Sequence, residues 1–123
     1  MNVEKLKGFI EQVKNDCGPG FLATDVYSTA DGQSIAGYNS NPQACALMNK
    51  MSRDLDASLK NSDFPEVGNY YLFDLVDDKM VVIVTLADYQ WGMLLDKSQV
   101  QLGLFLNIIL PKAMDLFEEA ITG

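Results

Sequence analysis

An α+β fold on a five-stranded antiparallel sheet, with elements in the order α-β-β-α-β-β-β-α, is what this sequence predicts. Three observations carry that reading. Apolar residues recur three and four apart near the start, middle and end of the chain, which is helical spacing. Between those segments lie five short runs rich in β-branched and aromatic residues. The connectors within each group of runs are of hairpin length, so the strands they join are antiparallel neighbours. At 123 residues the chain buries roughly two-thirds of its unfolded surface, enough for a real core, and residues 1–123 are expected to form a single domain.

The elements follow in order. Val3, Leu6, Phe9, Ile10 and Val13 make one apolar face of a helix over residues 2–15. Cys17-Gly18-Pro19-Gly20 stops it, because proline cannot continue a helix and glycine frees the backbone. Phe21–Ser28 and Gln33–Tyr38 flank Thr29-Ala30-Asp31-Gly32, where Asp-Gly accepts the positive φ of a hairpin turn. Asn39-Ser40-Asn41-Pro42 reads as a helix start, with Ser40 or Asn41 capping and Pro42 in the first turn.

That helix runs to about Lys60. Its apolar stripe is Ala44, Leu47, Met48, Met51, Leu55 and Leu59, while Lys50, Arg53, Asp56 and Lys60 face away. Met48 and Leu55 are expected against the sheet, with Leu47 and Met51 on the helix flank. Residues 61–68, containing Pro65 and Gly68, form a loop.

Three strands follow: an aromatic-rich one over Asn69–Leu75, a nearly all-apolar one over Met80–Leu86, and Gln90–Leu95, with Trp91 and Met93 on one side. Ser98 is expected to cap a last helix from Gln99 to Ile121. Pro111 inside it removes the bond to the Asn107 carbonyl and predicts a kink. Gly103 is expected to let this helix approach the sheet closely.

Composition excludes several classes of function. Apolar content of 48% and charged content of 21% belong to a globular chain. A net charge of −8, with no basic run, argues against nucleic acid and anionic lipid as partners. No apolar run approaches the ~20 residues of a membrane span, so no membrane insertion is expected. The N-terminus lacks the pattern of a signal peptide. Cys17 and Cys45 sit in dissimilar contexts and are read as reduced, which predicts a cytoplasmic location.

Catalytic chemistry finds few carriers. The chain has no histidine, which rules out Ser-His and Cys-His nucleophile pairs and His-based zinc sites. It has no phosphate-cradling glycine loop; Gly18-Pro19-Gly20 is read as a helix stop. Asp74, Asp77, Asp78 and Asp88 lie at turns without EF-hand spacing and are read as solvated turn carboxylates. No cofactor and no metal is expected.

The third strand is the most informative segment. Alternation puts Tyr71, Phe73 and Leu75 on one face and Tyr70 and Leu72 on the other, so both faces want cover. At a sheet edge such a strand is a template for pairing with another chain. Trp91 is read as core.

The hairpin Ala30-Asp31-Gly32-Gln33-Ser34-Ile35-Ala36, the meander over Asn69–Leu95 and Leu102-Gly103-Leu104 resemble, in that order and spacing, the Roadblock/LC7 family of profilin-like domains. Asp25 and Tyr27 make the first strand more polar than that family's usual pattern, and Pro111 interrupts its terminal helix. The resemblance covers essentially the whole chain. It implies one helix on one face of the sheet and the two terminal helices on the other. It also implies a homodimer, or a heterodimer with a paralogous Roadblock-like chain, formed by the third strand and the middle helix. Family members commonly regulate small Ras-like GTPases or serve as adaptor subunits.

The candidate interface is therefore Leu47, Met51 and Asp54 on the helix with Tyr70, Tyr71, Leu72 and Phe73 on the strand. Tyr71→Pro is expected to remove a ladder donor and dissociate the dimer. The function expected is that of a non-enzymatic dimeric regulatory or scaffold domain, with a small Ras-like GTPase as the candidate partner. The alternative is a small-molecule sensor with a cavity under the last helix, lined by Trp91 and Met93. Against it stands the lack of a buried arginine or histidine to anchor an anion.

Overall fold

Helix α1, Val3–Cys17, opens the computed structural model, which describes residues 1–123. Asn2 caps it, its Oδ1 accepting from the Lys5 N–H at 3.1 Å. Leu6, Phe9, Ile10 and Val13 are buried, as their spacing predicts, while Val3 stays exposed. Gly18, at φ 69°, and a single 3₁₀ turn over Gly18–Gly20 lead into strand β1, Phe21–Ser28. Strand β2 is Ser34–Tyr38 and helix α2 is Pro42–Lys60. Strands β3, Tyr70–Asp74, β4, Lys79–Leu86, and β5, Tyr89–Asp96, precede the C-terminal helix α3, residues 102–122.

The sheet order is β2-β1-β5-β4-β3, antiparallel throughout, so β3 and β2 are the edges. Period-2 alternation divides its side chains between two unequal cores. On the face of α1 and α3, Val26, Val82, Val84, Trp91, Met93 and Leu95 join a cluster of 21 buried residues. Phe9 meets Trp91 edge-on with ring centroids 4.9 Å apart, and Phe117 lies 6.0 Å from the same ring. The Trp91 Nε1–H donates to Thr24 Oγ1 at 2.7 Å, so the one polar atom of the ring is satisfied. On the α2 face only Tyr27, Cys45, Met48, Tyr71 and Ile83 form a buried cluster. Met48 packs directly over Gly92: a Cβ there would lie 2.6 Å from Met48 Cε. The smaller core leaves α2 dependent on polar bonds.

Two hairpin turns need positive φ without glycine. Asp77 and Asp78, at φ 61° and 58°, are the central residues of the β3–β4 turn, which the Lys79 N–H closes on the Val76 carbonyl. Ala87, at φ 52°, opens the two-residue loop between Leu86 and Tyr89. The left-handed region costs a residue with a Cβ about 1 kcal/mol. Ala87→Gly is therefore expected to stabilise the domain by about that much and to raise its thermal midpoint by roughly 4 °C. A calorimetric scan checks it.

The last helix departs from expectation in three ways. Ser98 does not cap it: its N–H and hydroxyl both donate to Asp96 Oδ1, at 2.9 and 2.6 Å, in the turn leaving β5. Those bonds hold the Asp96 carboxyl below its usual range, and helix begins only at Leu102. Secondly, a π segment, Phe105–Ile109, lies between the opening turn Leu102–Leu104 and the α-helical Leu110–Thr122. Its wider turn, closed by the Leu110 N–H on the Phe105 carbonyl, shifts the helical phase one residue before Pro111. Phe105, Ile109 and Leu110 are all buried as a result. Thirdly, Gly103 does not touch the sheet. A Cβ there would meet nothing within 4 Å, because Leu102-Gly103-Leu104 forms an exposed first turn ahead of the Phe105 anchor.

Candidate interaction site

The register of β3 decides which of its backbone groups are free. The Thr85 N–H donates to the Asn69 carbonyl and the Leu75 N–H to the Lys79 carbonyl. In an antiparallel ladder this phase turns residues 69, 71, 73 and 75 towards β4. The N–H and C=O groups of Tyr70, Leu72 and Asp74 therefore face outward from the sheet edge. Tyr71 has spent its N–H inside the chain, so Tyr71→Pro is the wrong test of edge pairing and Leu72 is the position that carries it.

The side chains of β3 alternate as expected. Tyr71 is buried on the α2 face and stacks on Phe73 at 6.2 Å, and its hydroxyl donates to the Ser52 carbonyl at 3.1 Å. Tyr70 and Leu72, about two-fifths exposed, lie on the opposite face at the edge. Phe73 is half-buried. Asp74 pairs with Lys97.

Helix α2 adds a flank beside this edge. Its inward line is Cys45, Met48, Asn49 and Ser52. Asn49 Nδ2 donates to the Thr29 carbonyl at 3.1 Å, and Ser52 Oγ donates to Gln90 Oε1 at 3.0 Å. These bonds fix the helix rotation and turn its apolar stripe sideways. Met48 lies against the sheet as expected. Leu55 does not: it is 38% exposed, and Leu47 is 57% exposed. Met51 is half-buried between them, and Asp54 is exposed and paired with Lys50 at 2.6 Å. Leu55 thus belongs with the flank residues. Asp56, expected to face away, is half-buried beneath the helix.

A second feature seats the start of α2. Asp25 on β1 is the one charged residue among the buried set, 3% exposed. Its carboxylate accepts from Ser34 Oγ at 2.7 Å, from the Asn41 N–H at 3.2 Å and from Ser40 Oγ. Asn41 is the cap: its Oδ1 accepts from the N–H groups of Gln43 and Ala44 at 3.0 and 3.3 Å. Gly37 on β2 lies opposite Asp25, and a Cβ there would collide with the carboxylate. The sequence shows Asp25 only as an oddly polar residue in a strand; its partners come from two other elements.

Neither cysteine is in a disulfide. Burial pushes the Cys17 thiol up to about 12. Burial, with a hydrogen bond to Asp25, pushes the Cys45 thiol up to about 12 as well. Both are expected to resist DTNB at about pH 8 in the native protein and to react on unfolding. A stopped-flow absorbance trace in each state checks this. The space between Trp91 and Met93 under α3 is filled, since those side chains are 0% and 1% exposed. The cavity that the sensor alternative would need there is not open.

No family model and no curated protein matches the sequence. Solved structures do match. Myxococcus xanthus MglB superposes with a TM-score of 0.81 at 12% identity, over 98% of this chain and 90% of that one. A Roadblock/LC7 domain from Streptomyces avermitilis gives 0.68 at 12% identity, over 95% and 98%. Profilin II of Acanthamoeba castellanii gives 0.58 at 14% identity, over 92% and 97%. No helix here is long and apolar enough to cross a membrane.

Proposed function

The fold is the profilin-like one of Roadblock/LC7 domains, and from it we propose that this chain is a non-enzymatic dimeric regulatory or scaffold subunit. Its β3 edge pairs with a second copy, or with a paralogous Roadblock-like chain, and the assembly engages a small Ras-like GTPase. The observation that carries the reading is the juxtaposition of a free β3 edge with exposed Leu47 and Leu55 and the half-buried Met51 between them. An unpaired edge beside an apolar flank is a surface that a second chain covers efficiently. Self-association on this fold has support in a solved structure described as MglB with a tetrameric arrangement, at 12% identity and a TM-score of 0.72. The GTPase is the partner that the family resemblance implies.

Size-exclusion chromatography with light scattering is expected to report a dimer mass at micromolar concentration; a clean monomer would sink the pairing. Pull-down with the wild-type chain, read by mass spectrometry, is expected to recover a Ras-like GTPase, and Leu47→Asp to lose it. A dimer that recovers no such protein would leave the pairing standing and remove the GTPase.

A further inference from the structure

We propose that the α2 face carries a binding site for a small monocarboxylate with a further oxygen acceptor, in a polar cavity beside Arg53. The proposal goes beyond the pairing surface and does not depend on it. The cavity, about 330 Å³, lies between the second half of α2 and the β4–β5 end of the sheet, with Ser52, Arg53, Asp56, Tyr71, Thr85 and Gln90 among its walls. That volume is at the lower end of the range for small-molecule sites.

Gln90 is the first reason. It is 6% exposed, and its Oε1 accepts from the Tyr27 hydroxyl at 2.7 Å and from Ser52 Oγ at 3.0 Å. The Ser52 proton is shared with the Asn49 carbonyl at 3.1 Å, but the buried Tyr27 hydroxyl has no other acceptor, so its bond sets the amide orientation and neither Nε2 proton has a partner in the chain. That nitrogen is not sealed in, since the one fully enclosed polar atom lacking a partner is Asn49 Oδ1. It therefore opens on the cavity that Gln90 lines. Open to solvent, the amide is satisfied by water, and an acceptor seated in the cavity can take that place.

Arg53 is the second reason. It is the only arginine in a chain of net charge −8, yet no acid pairs with it. The two acids nearest to it on the helix are already taken: Asp54 by Lys50 at 2.6 Å, and Asp56 by Lys60 at 3.1 Å. A free guanidinium fork matches a carboxylate in two parallel bonds. One cation, with the Asp56 carboxylate in the same wall, accommodates at most a single negative charge and disfavours phosphates and polyacids. The Gln90 amide, with the Thr85 hydroxyl close to it on the neighbouring strand, supplies donors for a second oxygen. Arg53 is exposed, as its place on the helix predicts, and its partners on the sheet side of the cavity come from three different strands.

The test is a titration of the full ¹⁵N-labelled chain with acetate, pyruvate and levulinate, which space the carboxylate and the second oxygen differently. The Gln90 side-chain NH₂ pair and the Arg53 Nε–H are followed. Saturable shifts with pyruvate or levulinate are expected, with a Kd on the order of 1 mM, weaker for acetate. Arg53→Gln, at an exposed position, is expected to keep the fold and weaken binding about tenfold. Shifts that never saturate, equal shifts with neutral levulinamide, or unchanged affinity in Arg53→Gln would each overturn the site. Tighter binding of N-acetyl-glutamate methylamide than of the free acids would overturn the small-molecule assignment, since it would point to an acidic side chain of a partner protein.

Discussion

Leu72→Pro is expected to turn the self-associated protein into a folded monomer, whereas Tyr71→Pro is expected to unfold it. The two positions are adjacent, and the difference lies in the ladder phase. The Tyr71 N–H bonds to β4, and its ring is buried, stacked on Phe73 and tied to the Ser52 carbonyl. Proline there removes a ladder bond, a stacked ring and a buried hydroxyl bond, a loss of more than about 3 kcal/mol. The Leu72 N–H points out of the sheet, where proline is tolerated on an edge strand.

In a symmetric antiparallel pairing, the register that uses all the outward groups of Tyr70, Leu72 and Asp74 sets Leu72 opposite its own copy. The substitution then removes both central hydrogen bonds at once, which weakens association about a hundredfold. Sedimentation velocity over a concentration series, with circular dichroism melts of both variants, reads the two effects separately. An Leu72→Pro protein that stays dimeric would move the interface off the strand edge.

What the sequence made legible was whatever repeats locally. The helical spacing of Leu6, Phe9, Ile10 and Val13, the Asp-Gly hairpin and the alternation of Tyr70 to Phe73 all survive in the structure, because each reflects one element facing one core. Illegible features come from contacts between distant elements. Leu55 sits in a regular stripe with Met48, but the Asn49 and Ser52 bonds to Thr29 and Gln90 rotate it outward. The Leu102-Gly103-Leu104 turn looks like helix against sheet until Phe105, Ile109 and Leu110 claim that contact through a π segment. Ser98 looks like a cap until Asp96 takes both of its donors. The cavity by Arg53 has little sequence signal: Ser52, Arg53 and Asp56 share helical spacing, but Tyr71, Thr85 and Gln90 reach them from three strands.

The same non-local logic gives Asp25 the second large effect. Asp25→Ala is expected to cost about 2 kcal/mol, because it removes three bonds to a buried carboxylate and leaves a gap under the start of α2, although the exposed Ser34, Ser40 and Asn41 can turn their donors to water. For a domain of this size that lowers the thermal midpoint by on the order of 10 °C. Asp25→Asn separates charge from shape. With its oxygen at the Oδ1 position it keeps both hydroxyl donors, but it sets an NH₂ group against the Asn41 N–H, so its cost falls between wild type and alanine. Urea titrations at constant slope measure both variants.

The damage should reach beyond stability. Asp25 holds the first turn of α2, and that turn aims Leu47, so Asp25→Ala should also weaken self-association under conditions where it remains folded. Its Cys45 thiol should gain reactivity, having lost the carboxylate that helps to hold its proton. Should Asp25→Ala melt like wild type, the seating of α2 would have to come from the Met48–Gly92 contact and the Asn49 and Ser52 bonds alone, and the β3 flank would be set from the middle of the helix.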